Sequence, residues 1–260
     1  MGSYVHLELD TAPGVATIRL DRPMVNAVND DMLRDTIAFC AELEKNDSVR
    51  SVVLTGSRRH FAAGADIEAF PDFSRDDALA FSHRFNDAAL ALEGLAQITI
   101  SAINGFALGG GLELALATDF RIAAADASLG LPEMLLGIIP GGGGTQRLAR
   151  LAGVTVAKEL IYSGRSITAT EAKDANLISS VHEPDDVYDD AVALAETYAR
   201  GPASLQLAKA AILSGYHLTL DEAVRIEAER FADAFTTADS KVGVRSFLEN
   251  GPGNADFTGS

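Results

Sequence analysis

A chain that contains Ile-Ser-Ala-Ile-Asn-Gly-Phe-Ala-Leu-Gly-Gly-Gly-Leu-Glu-Leu-Ala-Leu-Ala-Thr-Asp, residues 100–119, has few ways to fold that stretch. The order reads as a buried strand ending near Ile103, a glycine turn and the start of a helix. Gly109, Gly110 and Gly111 open dihedrals closed to other residues and leave room for a ligand to lie against the backbone. Leu112–Ala117 then supplies good helix formers. The first N–H groups of such a helix have no partner within it and carry partial positive charge. One carboxylate, Glu113, stands in the first turn. Bare N–H donors beside a carboxylate suit a reaction that places negative charge on an oxygen while a proton moves. Three glycines before a helix are also a common tight turn, and a first-turn Glu also complements the helix dipole. The stretch matches neither G-x-G-x-x-G nor the phosphate loop ending in Lys-Ser/Thr, which leaves the nucleotide reading the weaker one.

The rest of the chain supplies the frame. Val5, Leu7 and Leu9 alternate with His6, Glu8 and Asp10, a half-buried strand. After Pro13-Gly14, Ala16, Ile18 and Leu20 repeat the alternation, which makes a hairpin. Asp21–Ala27 is a loop, and from Asp30 the positions Leu33, Ile37, Cys40 and Ala41 follow helical spacing. Ser51–Thr55 is a short buried strand. Strand, strand, helix, strand points to an α/β fold. Ser74 and Asp77 cap a helix whose stripe Phe81, Phe85, Ala88, Leu92 and Leu95 reads as core. Further strands are expected at Ile98–Ile103, Asp119–Ala124, Ser128–Gly130 and Leu177–Val181. Helices are expected from Thr145, over Val154–Ser163 up to Gly164, and from the Thr168/Glu171 capping box to Asn176. From Asp185 helix follows helix, with a second box at Thr219/Glu222 and a face of Val224, Ala228, Phe231 and Phe235. Gly251–Ser260 reads as a frayed tail. A helical annex of this size has little core of its own and should dock on the α/β part or on another subunit.

Two more stretches could carry chemistry. Phe61–Ile67, Phe-Ala-Ala-Gly-Ala-Asp-Ile, is a small-residue loop whose bare backbone can approach a ligand, or a plain surface turn. Glu133 lies in the apolar run Leu131–Pro140, where burial would raise its pKa toward a value useful for a proton donor. The alternative reading is a helix-start Glu after Pro132. A net charge of −16 argues against nucleic acid or an anionic membrane as partner. No uncharged apolar run reaches the roughly 18 residues that span a bilayer. Met1–Glu8 lacks a basic region followed by an apolar stretch, so no secretory signal is expected. The single Cys40 reads as a small buried hydrophobe, and a reducing cytoplasm is the natural compartment. No clustered His/Cys ligands suggest a metal, and His60 reads as a solvated loop residue.

In order and spacing, Phe61–Ile67, Asn104–Ala115 and Pro132–Leu148 together resemble the crotonase superfamily, and within it the enoyl-CoA hydratases; the likeness runs from about Val5 to Phe247. The resemblance implies an α/β crotonase-like spiral of ββα repeats over 1–195, carrying the active site. A C-terminal helical trimerisation annex over 196–260 would assemble trimers or pairs of trimers. It implies that the N–H groups of Ala65 and Gly110 form an oxyanion hole for a thioester carbonyl. The two catalytic glutamates would be Glu113 and Glu133, 133 − 113 = 20 residues apart as the pattern requires. It further implies contacts to the CoA thioester from Met24, Val25, Ala27, Ala63, Asp66, Ile67, Phe106, Gly109, Pro132 and Gly141. The implied reaction is hydration of a 2-trans-enoyl-CoA to 3-hydroxyacyl-CoA in fatty acid β-oxidation. Glu113 would be the base toward water and Glu133 the acid toward C2, with no metal or cofactor beyond the substrate's own CoA.

The sequence departs from the family pattern in two places. Many hydratases carry a Lys after Arg-Pro, where Met24 stands in a segment one residue shorter, and another after Ala-Asp-Ile, where Glu68 stands. Both lysines can reach CoA phosphates; Arg58 or Arg59 are the alternative donors here. An isomerase that moves the double bond, or a relative acting on a specialised acyl group, is the alternative reading. A non-catalytic or nucleic-acid-binding member of the fold is opposed by the charge and by the intact pair of glutamates.

Overall fold

The computed structural model describes residues 4–260. The reading of the N-terminus as free of a signal rests partly on Met1–Ser3, which lie outside the described residues. Strands β1 (Val5–Ala12) and β2 (Val15–Leu20) form the expected antiparallel hairpin. Helix α1 (Asp30–Leu43) is capped by Asn29, whose side chain accepts the Met32 N–H. Next come β3 (Ser51–Thr55), a 3-10 turn at Phe70–Asp72, α2 (Arg75–Gly94), β4 (Ile98–Ile103), β5 (Phe106–Leu108) and α3 (Gly110–Leu116). β6 (Phe120–Ala124), β7 (Ser128–Gly130), a 3-10 turn at Pro132–Leu136, α4 (Gly144–Ala152) and α5 (Val154–Ser163) follow. β8 (Ser166–Thr168), α6 (Ala169–Asp174), β9 (Ser180–His182) and α7 (Val187–Ala199) lead to α8 (Ser204–Gly215), α9 (Leu220–Ala234) and α10 (Ala238–Asn250).

Two sheets wind through this order. The larger runs β1-β2-β3-β4-β6-β9 and is parallel from β2 onward; the smaller runs β5-β7-β8. The successive pairs β4–β5 and β6–β7 each send their first strand to the larger sheet and their second to the smaller. This is the winding expected of ββα repeats. Every residue of β3 and β4 is buried, as parallel strands covered on both faces require. α7 packs over β2, β3, β4 and β6, and the expected division between 195 and 196 falls inside that helix. All three capping boxes form, at Ser74/Asp77, Thr168/Glu171 and Thr219/Glu222.

Several expectations are corrected. The last strand begins at Ser180, not Leu177, because Arg121 Nε takes the Leu177 carbonyl at 2.7 Å and draws it out of the ladder. β8 was not foreseen: three residues between a helix stop and a capping box give no periodicity to read. α3 starts at Gly110, two residues before Leu112. Leu9 is exposed, where a register shift between Glu8 and Ala12 turns it outward. Ala41 is exposed, and Met32, Thr36 and Leu43 complete the buried face of α1 instead. The tail is not frayed. Buried Asp239 accepts N–H groups from Thr258 and Gly259 at 2.8 Å each, and its own N–H donates to Ser260 O.

The helices α8–α10 attach through a buried ion pair. Lys209 Nζ on α8 lies 2.7 Å from Asp119 Oδ2 and donates to Gln97 O at 2.8 Å. Asp119 also accepts from Thr99 N and Oγ1. The annex leaves Tyr216, Leu220, Phe231, Phe235, Phe247 and Leu248 exposed. Among the described residues, no helix is long and apolar enough to cross a membrane.

Candidate active site

The site is assembled from backbone first. Loop Phe61–Ile67 is stitched down on both sides by strand-like hydrogen bonds. Phe61 N donates to Asn104 O, Ala62 N to Phe106 O, and Leu108 N to Ala62 O. On the other side Ala63 N donates to Val25 O, Val28 N to Gly64 O, and Asp66 N to Val28 O. Buried Asn26 adds Nδ2 donations to Leu20 O, His60 O and Phe61 O, and the sequence reading missed it. Within this stitching the Ala65 N–H makes no hydrogen bond among the described residues. The Gly110 N–H, first of α3, also has none.

The two free amides lie close together. A Cβ at position 110 would stand 3.3 Å from the Ala65 nitrogen and 2.5 Å from Phe85 Cζ, so only glycine lets the chain approach this closely. Gly109 takes φ of +48° to turn β5 into α3, with Glu133 Oε1 2.9 Å from where its Cβ would be.

The carboxylates face the same space from two elements. Glu113, on α3, is only 3 % exposed. Its Oε1 accepts the N–H groups of Gly142 and Gly144, both at 2.7 Å, and Oε2 makes no hydrogen bond among the described residues. Burial pushes its pKa up; the Gly144 and Gly142 donors and the Arg147 guanidinium oppose that rise. Glu133, in the 3-10 turn opened by Pro132, has a buried Oε2 with no partner. Burial pushes its pKa to about 7, its own backbone N–H opposes, and the charge of Glu113 adds to the rise. One carboxylate is thus held by donors, and the other carries a proton near neutrality.

A cavity of about 590 Å³ joins these groups. Its lining includes Ala65, Gly110, Glu113, Glu133 and Gly141, all singled out from the sequence. It also includes Phe70, Phe73, Phe81 and Phe85, an aromatic wall with successive ring centroids 5.1 to 6.0 Å apart. The stripe read as core therefore has two duties: Phe85 is buried and also forms cavity wall. The helical spacing that gave the stripe could not show what the helix packs against.

The other expected contact residues lie outside that lining. Met24 is 90 % exposed, and Val25 and Ile67 are exposed beside it on the ledge that pairs 25–28 with 63–66. Ala27 and Ala63 are half-buried in that ledge. Asp66 is taken by an ion pair with Arg22 at 2.7 Å, and so fastens the ledge. Gly109 and Pro132 act through the backbone turns already described. Phe106 is exposed and stacks on His60, centroids 4.8 Å apart, so His60 is a packed residue and not a solvated one. Arg58 and Arg59 are exposed in the same region of the chain. Among the described residues, no group of three or more His, Cys, Asp or Glu is placed to hold a metal ion.

The family model described as enoyl-CoA hydratase/isomerase matches residues 10–259. The short-chain-enoyl-CoA hydratase of Clostridium acetobutylicum is 39 % identical over 238 residues, 90 % of this chain and 91 % of its own. The crotonyl-CoA hydratase of Syntrophomonas wolfei is 37 % identical over 255 residues, 97 % of this chain and 98 % of its own. The crystal structure of the enoyl-CoA hydratase from Bacillus anthracis superposes with a TM-score of 0.92 at 36 % identity, covering 99 % of this chain and 100 % of that one.

Proposed function

The chain belongs to the enoyl-CoA hydratase/isomerase family, and from that membership we propose that it adds water to 2-trans-enoyl-CoA thioesters, giving 3-hydroxyacyl-CoA in fatty acid β-oxidation. One observation carries the reading: two unpartnered backbone amides and two unlike carboxylates meet on one cavity. The thioester oxygen accepts the N–H groups of Ala65 and Gly110, which draw electron density off the conjugated double bond and leave C3 electrophilic. Each such donor is worth on the order of 10²–10³ in rate. A water sits between Glu113 and Glu133. Its oxygen bonds to C3 while Glu113 Oε2 takes its proton, and the enolate that forms is protonated at C2 by Glu133. The reverse reaction exchanges the roles.

The environments of the two acids support this division. Donors on Glu113 Oε1 favour its ionised form and aim the other oxygen. Glu133, with a pKa of about 7, holds a transferable proton at neutral pH. Isomerisation can proceed with one acid/base group, so a pair of carboxylates on the cavity favours hydration. The chemistry needs no metal or redox group, and CoA enters as part of the substrate. Arg58 and Arg59 are the cations offered to its phosphates. The exposed apolar face of α8–α10 supports assembly into a trimer or a pair of trimers through the annex, read by sedimentation velocity. Cys40, free and buried, suits a reducing cytoplasm.

The test is turnover of crotonyl-CoA, followed by loss of the absorbance of the conjugated thioester. Glu113→Gln and Glu133→Gln should each fold and lose most of the activity. Full activity in either variant would remove the two-carboxylate mechanism.

A further inference from the structure

Glu113 is aimed by a loop, and that loop is itself gripped from two helices. The Gly141–Gly142 peptide presents its N–H to Glu113 Oε1. Its carbonyl oxygen accepts from Ser82 Oγ at 2.7 Å and Asn86 Nδ2 at 2.8 Å, both on α2. A peptide unit is planar, so fixing the oxygen fixes the direction of the N–H. The next peptide, Gly142–Gly143, separates the two donors. Its oxygen accepts from Arg147 Nη1 on α4 at 3.2 Å. Arg147 Nη2 is in turn 2.8 Å from Glu93 Oε2 on α2. The arginine side chain is 11 % exposed, and it passes so close to Gly143 that a Cβ there would collide with Nη1. Ser82, Asn86 and Glu93 are 4 and 7 residues apart, which places them on one helical stripe of α2.

We propose that Arg147, anchored by Glu93, is a positioning residue for the proposed hydration: through the Gly142 carbonyl it holds the loop whose N–H groups aim the Glu113 carboxylate at water. The inference rests on the reading of Glu113 as the base. The charged groups facing Glu113 are Glu133 from the 3-10 turn and Arg147 from α4, with Glu93 of α2 behind the arginine. The arginine therefore acts in two ways. It fixes geometry through the loop, and its positive charge favours the ionised carboxylate.

Arg147→Met keeps much of the side-chain bulk and removes both the donors and the charge. In the folded variant kcat for crotonyl-CoA should fall about 10- to 100-fold, the scale of a small misplacement of a reacting group. KM should stay near the wild-type value, because no contact with the substrate is lost. The acidic limb of the kcat profile should move to higher pH, since the cation that favours ionised Glu113 is gone. Arg147→Lys restores the charge without the planar fork, so it should return the acidic limb and recover only part of kcat. Glu93→Gln loosens the anchor and should lower kcat less, in the same direction. Carbon NMR of the labelled Glu113 carboxyl reads the titration without substrate. An inactive wild type would overturn the hydration reading, and the NMR comparison would still decide the link between Arg147 and Glu113. Wild-type kcat and an unmoved Glu113 titration in folded Arg147→Met, or in Glu93→Gln should the first not fold, would overturn the positioning role.

Discussion

Gly110→Ala tests the proposed oxyanion hole at its tightest point. The added Cβ would sit 2.5 Å from Phe85 Cζ, where ordinary contact begins at 3.4 Å, so something must yield by 3.4 − 2.5 = 0.9 Å. Phe85 cannot move away easily. It is buried, with Phe81 at 6.0 Å on one side and Gly142 so close that a Cβ there would press on another edge, and only the edge that lines the cavity is free. The first turn of α3 should move instead, carrying the Gly110 N–H with it. A hydrogen bond of about 2.9 Å stretched by that amount falls outside bonding range. The expected loss is at least that of one oxyanion donor, about 10²–10³ in kcat, because Glu113 stands in the same turn and shifts with it. Overpacking should cost about 1–3 kcal/mol of stability, and roughly 2–4 °C of Tm for each of them. The assay is crotonyl-CoA hydration beside a thermal melt. Gly94→Ala is the control, because nothing lies within 4 Å of a Cβ at that helical position; it should melt slightly higher and turn over normally. A folded Gly110→Ala enzyme with wild-type kcat would refute the assignment of this amide.

Three further outcomes follow from charge burial. Glu133 has its folded pKa raised from 4.5 to about 7, so between those values the folded protein holds a proton the unfolded chain has lost. Stability from this group is therefore full below pH 4.5 and falls as pH rises toward 7. Full linkage would be about 3 kcal/mol, and partial solvation should reduce it to roughly half. Denaturant midpoints across that window should show the slope in wild type and lose it in Glu133→Gln. In the same range kcat/KM for hydration should decline as pH rises through about 7 and the acid deprotonates; a profile rising through that point would contradict the role of Glu133. Separately, Lys209→Met leaves Asp119 with only its two bonds from Thr99, at a cost of about 3 kcal/mol. Hydrogen exchange should show protection lost first in α8, and uniform protection would place the attachment of the annex elsewhere.

Much of this was legible in residue order because it depends on local physics. The strands Ser51–Thr55 and Ile98–Ile103 carry no charge and only small hydroxyls among their β-branched and apolar residues, as buried strands do, and each capping box followed from two residues three apart. The turn at Gly109–Gly111 announced bare amides because no other residue tolerates that path. Glu133 stood out as the one charge in an apolar run. The sequence could not show what these pieces meet. Convergence of Ala65 on Gly110 depends on the pairing of loop 61–67 with β5 on one side and with 25–28 on the other, and no periodicity encodes that. The unequal carboxylates are likewise a tertiary product. Two glycine amides 29 and 31 residues away reach Glu113, and none reaches the Oε2 of Glu133. Strand, turn and helix were set by neighbours along the chain. Which oxygen is held, which proton is kept and which helix grips the loop were set by neighbours in space, because hydrogen bonding and desolvation act over a few ångströms whatever the separation in sequence.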